Sequence, residues 1–595
     1  MRDAEKILSI ISERGKNQKP LERIYRLLFN EEFYLIAYQN IYANKGAITK
    51  GINNDTVDGM SIKKITAIIS KLKTETYRWT PVRRTYIKKK NGKQRPLGLP
   101  SWSDKLLQEV IRIILEAYYD NQFSNHSHGF RKNRGCQTAL ETLAKKDWKG
   151  IKWFIEGDVT NCFNSFDHQI LMNILDEKIA DKRFLRLIKN FLQSGYMEDW
   201  KYNKTLSGCP QGGVLSPLLS NVYMDKLDQY VENELMPIYN KGKDRARNHE
   251  YLSLLDRRRR YIRHGKWEEA KELKKLAQTM PSNDTSDPNF RRLYFLRYAD
   301  DWIIGLSGDK NDAEEIKGKI ATALQVNLKL QLNQEKTLIT HARSERARFL
   351  GYDIHVLYND AKHDKSGRRC INGQTGLRVP RDKMRAKIGQ YMAKGKPVHR
   401  QELTRYSDYD IISTYQSEFR GFVQYYLRAY NAHQMRAVKY IMEMSLAKTL
   451  AVKHKMSVMQ VFRKYKATTE TKYGLYKVLQ VIVERDGKKP LIAQFGGVRL
   501  AYNRNATIDE KPRQLLSNRS QLIDRLLRNV CELCGATGNI EMHHVKKLKD
   551  LSRSGRRHKP EWMKRMIAIR RKTLAVCVGC HREIHSGEYD KVRVH

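Results

Sequence analysis

Residues 293–306 read LYFLRYADDWIIGL, two apolar arms around the adjacent carboxylates Asp300 and Asp301. Each arm is short and rich in aromatic and β-branched residues, which predicts a tight β-hairpin with carboxylates at its tip. Upstream, KWFIEGDV at 152–159 is a second short strand whose polar end falls on Asp158. An Asp-Asp pair also occurs in ordinary turns. In an enclosed site, however, neighbouring carboxylates repel each other unless a cation or proton intervenes. Hard Mg²⁺ prefers such oxygens while keeping some waters and substrate oxygens. Asp158, Asp300 and Asp301 on rigid strand ends therefore predict a divalent-cation centre.

Outward from this centre the chain is mixed α and β. PVRRTYIKKKNGKQRPLGLP at 81–100 reads as two short cationic strands around the turn Asn91-Gly92. SDKLLQEVIRIILEAYY at 103–119 has apolar residues at three- and four-residue spacing and predicts a helix. Helical stripes recur over 168–192 and from Leu215 onward. Residues 241–280 carry 13 Lys/Arg against 6 Asp/Glu, within a basic insertion over 241–290. This is either a solvated charged helix or a phosphate-contacting element. A helix near 311–329 and short strands near 337–340 and 348–356 follow. Residues 411–465 have aromatic and basic residues at helical spacing, whereas 481–525 are basic and less periodic.

The 595 residues correspond to roughly four domains at about 150 residues each. Mean hydropathy is −0.67, with 40% hydrophobic and 30% charged residues, a composition that excludes global disorder. The net charge of +47 fits a protein that lies against a polyanion, and fits a small-molecule metabolic enzyme poorly. No run has the length of a membrane span, and the start lacks a secretory signal, so an intracellular, cytoplasmic protein without a membrane partner is expected. Cys136, Cys162, Cys209 and Cys370 are scattered and read as free thiols. Cys531, Cys534, Cys577 and Cys580 form two CxxC pairs and read as a metal site.

The run Tyr298-Ala299-Asp300-Asp301 resembles the YxDD box of reverse transcriptases, and residues 40–355 resemble the reverse-transcriptase domain encoded by mobile group II introns. The successive blocks stand in order: NKGAITKG (44–51), KKNGKQRPLGLPSWSDKLLQEV (89–110), SHGFRKNRGCQTAL (127–140), EGDVTNCFNSFDH (156–168), SGCPQGGVLSPLLSNVYMDKLD (207–228), YADD, LNQEKT (332–337) and FLGYDI (349–354). The resemblance implies that Asp158, Asp300 and Asp301 bind two Mg²⁺ ions. It places Phe163 beneath the incoming sugar, where a ring leaves no room for a 2′-hydroxyl. Lys89 and Arg95 fall in the block that contacts the triphosphate, and a guanidinium grips phosphate with two donors. Gln211 lies in the loop beneath template and nucleotide, and Lys336 stabilises either the primer or the surroundings of the metal site. Gln137 departs from the histidine common in its block.

IISTYQSEFRGFVQYYLRAYNAHQMRAVKYIMEMSLAKTLAVK at 411–453 reads as a pair of helices and resembles the thumb, or X domain, of group II intron maturases. Arg420, Lys448 and Lys453 are the implied RNA-backbone contacts. Folded RNA is recognised by shape, phosphates and 2′-hydroxyls, which a broad basic surface serves. The implied role is to stabilise the ribozyme-active fold of the intron.

Four thiolates from CELC (531–534) and CVGC (577–580) suit a structural Zn²⁺ with no open position, although His581 or His585 is an alternative donor. IEMHHV (540–545) and CHREIH (580–585) resemble the HNH, or ββα-metal, endonucleases. By that pattern His544 is the general base and His543 a ligand of one Mg²⁺ or other divalent ion. His581 and His585, four apart on one helical face, complete that site or support it. Thr573 stands where the family's asparagine is usual, and a hydroxyl still orients the loop.

The expected fold is therefore a multidomain α+β chain. An N-terminal extension (1–80) precedes right-hand fingers and palm (81–380), a helical thumb (381–480), a DNA-binding region (481–525) and a zinc-stabilised ββα-metal domain (526–595). The implied protein is an intron-encoded reverse transcriptase, maturase and endonuclease. Its implied partners are intron RNA in a ribonucleoprotein, target DNA, RNA template with DNA primer, and dNTPs; a homodimer and a nucleoid-associated ribonucleoprotein in a bacterial-type cytoplasm are compatible. The alternatives are a reverse transcriptase of a retron, diversity-generating or CRISPR-associated system, and a splicing-only cofactor.

Overall fold

A computed structural model describes residues 3–44, 46–88, 92, 94–144, 148–210, 212–365, 369–485, 488–503, 506, 520–551 and 559–589. Lys89 and Gln211 lie outside the described residues. The chain is a mixed α+β, multidomain assembly.

The quoted hairpin forms as read. Strands Leu293–Tyr298 and Asp301–Leu306 pair antiparallel, Trp153–Gly157 pairs beside them, and Leu338–His341 closes a four-stranded antiparallel sheet. Successive residues face opposite sides of a strand. Ile155, Phe295, Trp302 and Ile304 enter one core cluster, while Phe154, Leu296 and Ile303 enter a second on the other face. Burial on both faces is why the arms read as continuous apolar runs rather than as alternation.

The first core is largely helical and joins the N-terminal helices to the central sheet and to the C-terminal unit. Its centre is the helix Trp102–Tyr119, capped by the Ser101 hydroxyl accepting from Asp104 N. Helices Ala4–Lys16 and Glu31–Ile41 pack on it. The cationic strands Val82–Lys88 and Gln94–Leu99 pair antiparallel beside it. The basic insertion is a helical hairpin, His249–Arg263 and Trp267–Thr279.

The second core carries helices Asp408–Tyr425, Arg436–His454 and Val458–Tyr465. Beyond these helices the chain turns to strands within the span expected for the helical thumb, 381–480. Strands Lys466–Thr471, Gly474–Arg485 and Lys488–Gly496 form an antiparallel meander packed on helix Asp408–Tyr425. The β-branched run Val478, Val481, Ile482 and Val483 favours a pleated surface, and the proposed boundary at 480 falls inside a strand. Residues 507–519 of the expected DNA-binding region lie outside the described residues.

At the C-terminus, strands Ile540–His544 and Thr573–Cys577 pair, and the helix Val578–Ser586 follows, giving a ββα unit. No described helix is long and apolar enough to cross a membrane.

Gly157 sits opposite Trp302 in the central sheet, and a Cβ there would lie 2.1 Å from the indole. Gly157→Ala is therefore expected to lower stability by at least about 1–3 kcal/mol, read by thermal unfolding.

Candidate active sites

The hairpin tip is a two-residue turn, Ala299-Asp300, closed by the Tyr298–Asp301 pair. Ala299 has φ +59°, in the left-handed region that favours glycine. What holds it is a buried ion pair. Arg297 and Asp228 are both fully buried; Arg297 Nε donates to Asp228 Oδ1 at 2.6 Å, and Arg297 Nη1 donates to Ala299 O at 2.8 Å. Arg297 Nη2 also reaches Ser127 Oγ at 2.9 Å. Asn221 and Asp228, seven residues apart on the helix Ser216–Tyr230, present one face to this network. Gly129 permits the close approach, since a Cβ there would stand 2.3 Å from Ala299 N. Removing one partner of a buried pair strands the other charge. Asp228→Ala is thus expected to cost about 3–5 kcal/mol, measured by denaturant unfolding. An unchanged midpoint would contradict this account of the turn.

Asp158, Asp300 and Asp301 are near enough for their charges to act on one another, while the described groups whose ligand atoms all lie within 4.8 Å of one another are found elsewhere in the chain. Asp158 follows the strand Trp153–Gly157, which pairs with Asp301–Leu306. Enclosure by surrounding protein, then the charges of Asp300 and Asp158, push the Asp301 carboxyl up to about 7. Asp300 is raised by burial first and then by the charge of Asp158, with its own backbone hydrogen bond, Arg95 and Lys336 opposing. Lys336 pairs with Asp158, and Asn333 Nδ2 donates to it at 3.2 Å. The raised Asp300 and Asp301 carboxyls are donors short of positive charge, which fits divalent cations. Phe163 is half-buried on a short helical turn, and its carbonyl accepts from Cys209 N at 2.8 Å. That bond seats the Cys209-Pro210 segment against the turn that carries Phe163. Arg95 is exposed on its strand.

The helical module joins the sheet through tyrosines. Tyr425 Oη donates to Leu350 O at 2.6 Å, Tyr426 Oη donates to Gly351 O at 3.1 Å, and Gln137 Nε2 donates to Tyr425 O at 3.0 Å. The unexpected Gln137 therefore ties the helix Cys136–Ala144 to the helical module within the second core. Among the candidate RNA contacts, Arg420 is exposed. Lys448 and Lys453 instead direct their ammonium groups inward, to Pro397 O at 2.8 Å and to Asp408 Oδ1 at 2.6 Å.

Two metal-competent clusters involve the C-terminal unit, one of them together with Asp58 of the N-terminal segment. Ligand atoms of Cys531, Cys534, Cys577 and Cys580 lie within 4.8 Å of one another, and the amides of Cys534 and Cys580 donate to Cys531 and Cys577 sulfurs at 3.5 Å. Among the described residues no histidine joins them. The second cluster is His543, His581, His585 and Asp58, also within 4.8 Å. His543 is 4% exposed; its Nε2 has no hydrogen-bond partner, and its Nδ1 lies 3.2 Å from Asp58 outside hydrogen-bond geometry. An orphaned buried imidazole fits a cation ligand. His581 Nδ1 bonds Glu541 at 2.6 Å, which orients its Nε2 into the cluster. Burial works against charge on His581, but Asp58 and Glu541 outweigh it and raise it to about 9. His543 and His544 point to opposite faces of their strand. His544 stands outside the cluster, with Nε2 2.9 Å from Tyr38 Oη, and burial lowers it to about 3. Thr573 is buried, and Arg525 donates to its hydroxyl at 3.0 Å and to its carbonyl at 2.9 Å.

Asp58, Tyr38 and Glu541 were not singled out by sequence. Glu541 lay beside the histidine pair and was open to notice. The first two lie some 500 residues away in a segment without a chemical motif.

Comparison with known proteins assigns the regions that hold these residues to families. Residues 87–354 match the reverse transcriptase (RNA-dependent DNA polymerase) family, 381–489 the type II intron maturase family, and 531–581 the AI2M/AI1M-like HNH endonuclease family. The chain is 40% identical over 588 residues to the group II intron-encoded protein LtrA of Lactococcus lactis subsp. cremoris, covering 94% of this chain and 95% of that one. The chain belongs to the group II intron-encoded proteins. It is also 33% identical to the putative COX1/OXI3 intron 2 protein of Saccharomyces cerevisiae, over 96% of this chain and 66% of that protein. An uncharacterized 91 kDa protein in the cob intron of Schizosaccharomyces pombe is 32% identical, over 98% of this chain and 72% of that one. This group II intron-encoded protein thus combines reverse transcriptase, maturase and HNH endonuclease functions in one chain.

Proposed function

We propose that the protein assists splicing of its own intron RNA, then copies that RNA into DNA from an end made by its nuclease. The single observation that carries the reading is the mutual charge interaction of Asp158, Asp300 and Asp301 at a sheet end, with Asp301 raised to about 7. In this reading the fingers and palm occupy 81–380 and the thumb starts at 381. The meander extends the thumb to Gly496, and the remaining stretch to 525 serves DNA.

Asp158, Asp300 and Asp301 would hold two Mg²⁺ ions, which supply acidification of a primer 3′-hydroxyl and neutralisation of the triphosphate. Phe163 excludes a 2′-hydroxyl, Arg95 and Lys89 bind the triphosphate, Gln211 supports the template, and Lys336 adds positive charge at the carboxylates. Arg420 offers an exposed cation to RNA. Lys448 and Lys453 serve the thumb's internal bonding first. The four cysteines would hold a structural Zn²⁺, and His543, His581 and His585 a divalent ion that positions the scissile phosphate. His544, kept neutral by burial, has the protonation state a base for water needs. The partners of this reading are intron RNA, primed template, dNTPs and target DNA, with a second copy of the chain as an option for assembly.

The test is splicing of the gene's flanking RNA at low Mg²⁺ with and without protein. Stimulation is expected, and it is expected to persist in an Asp300→Ala, Asp301→Ala double variant, because the RNA is then the catalyst. No stimulation, from RNA that splices alone at high Mg²⁺, would remove the maturase role and favour a reverse transcriptase with another partner.

A further inference from the structure

The two ends of the chain meet over the histidine cluster. Met60 pairs with Met542 as an antiparallel bridge; Gly59 N donates to Met542 O at 3.1 Å, and Met542 N donates to Met60 O at 2.9 Å. Gly59, at φ +76°, turns so closely over the cluster that a Cβ would stand 3.5 Å from His581 Cε1. Met60 is fully buried, and Trp102 Nε1 donates to its sulfur at 3.3 Å. The segment is therefore fixed in the apolar core that the N-terminal helices and the ββα unit share.

Asp58 enters the cluster from this segment. Its carboxylate lies 3.2 Å from His543 Nδ1, 3.3 Å from His581 Nε2 and 2.7 Å from His585 Nε2, and it accepts from His544 N at 2.7 Å. Three imidazoles and a carboxylate make a full four-coordinate donor set. For a tetrahedral ion such as Zn²⁺ that set is closed, whereas a hydrolytic site keeps one position open; for a six-coordinate ion Asp58 still takes a position that a phosphate oxygen would need. The same contact covers the proposed base. The ring of His544 is 7% exposed and lies edge-on to Tyr38 at 6.0 Å; either tautomer leaves Nε2 engaged with the tyrosine hydroxyl. Water on a DNA phosphate has no path to that nitrogen while the ends are joined.

We propose that Asp58 is an interdomain ligand of the nuclease cation, latching the endonuclease closed until a DNA phosphate takes the carboxylate's place. The proposal rests on the nuclease reading of the C-terminal unit. Asp58 and a phosphate are both anionic hard-oxygen donors for one position, so docking and cleavage exclude each other. The latch would keep a nicking activity silent away from the target and release it where DNA competes.

Amide hydrogen exchange on the full chain reads the latch independently of cleavage, because Gly59 N and Met542 N are protected by each other's strand. Mn²⁺ alone is expected to slow exchange at both segments about tenfold in the wild-type protein. Asp58→Ala should abolish that response. Asp58→Asn keeps an oxygen for the His544 amide and should dock without responding to Mn²⁺. In the ribonucleoprotein, Asp58→Ala should nick duplex target several-fold faster than wild type. A wild-type protein indifferent to Mn²⁺, variants that respond as wild type does, or slower nicking by Asp58→Ala would each overturn the latch. Mn²⁺ protection lost in the variants, with nicking by none of the forms, would uphold the interdomain ligand and refute the nuclease reading beneath it.

Discussion

Asp301→Asn is expected to reduce Mg²⁺-dependent cDNA synthesis on a primed RNA template by on the order of 10³-fold or more, while leaving the cation-free protein at least as stable as before. The two effects have one cause. Asp301 is pushed up to about 7 by enclosure and by the charges of Asp300 and Asp158. An unfolded aspartate titrates near about 3.9. With the folded value raised, the native state holds the proton more tightly than the unfolded chain. The contribution of this group to stability is therefore lost as pH rises from about 4 through about 7. Asparagine removes that loss, so the variant's stability should fall less across the window. Activity disappears because an amide brings no charge to a cation. A structural aspartate would behave oppositely, costing stability without a selective loss of synthesis. The check is a pair of measurements on one preparation, unfolding against pH without divalent ions and primer extension with them. Full activity in Asp301→Asn would contradict the assignment.

Removing the cysteine-bound metal is expected to unfold the C-terminal unit and spare the polymerase. Four thiolates within 4.8 Å fit one tetrahedral Zn²⁺. Structural zinc contributes about 10–16 kcal/mol in small modules, more than a ββα unit gains from its own core. Cys577→Ser or a strong chelator should expose the amides of Ile540–His544 to exchange and abolish nicking. Primer extension should continue, since Asp158, Asp300 and Asp301 lie in another sheet. Metal analysis should return one zinc per chain. A chelated protein with the same exchange pattern would show that the sulfurs need no ion.

Local chemistry was legible from the sequence; partnership across the chain was not. The hairpin around Asp300 and Asp301 and the helix Trp102–Tyr119 declare themselves through period and polarity. His581 and His585 share a helix face because they are four apart, and their Nε2 atoms do come to 3.2 Å. Arg297 gave a partial signal, as a cation inside an otherwise apolar arm, but nothing local pointed to Asp228. The meander of residues 466–496 was hidden because its middle strand exposes Ile482 and Val483, which blurs the alternation that marks a half-buried strand. Asp58 carried no signal at all. Its role arises only when a remote strand is brought against Met60.

The most direct test of the three functions acting on one another is the product made on target DNA. Wild-type ribonucleoprotein, labelled dNTPs and target duplex should yield labelled cDNA covalently continuous with the 3′-end of the nicked strand. His544→Ala should lose that joined product yet still extend an annealed primer, and the Asp300→Ala, Asp301→Ala variant should nick without extending. Joined cDNA made undiminished by His544→Ala would contradict the proposal that this nuclease supplies the primer.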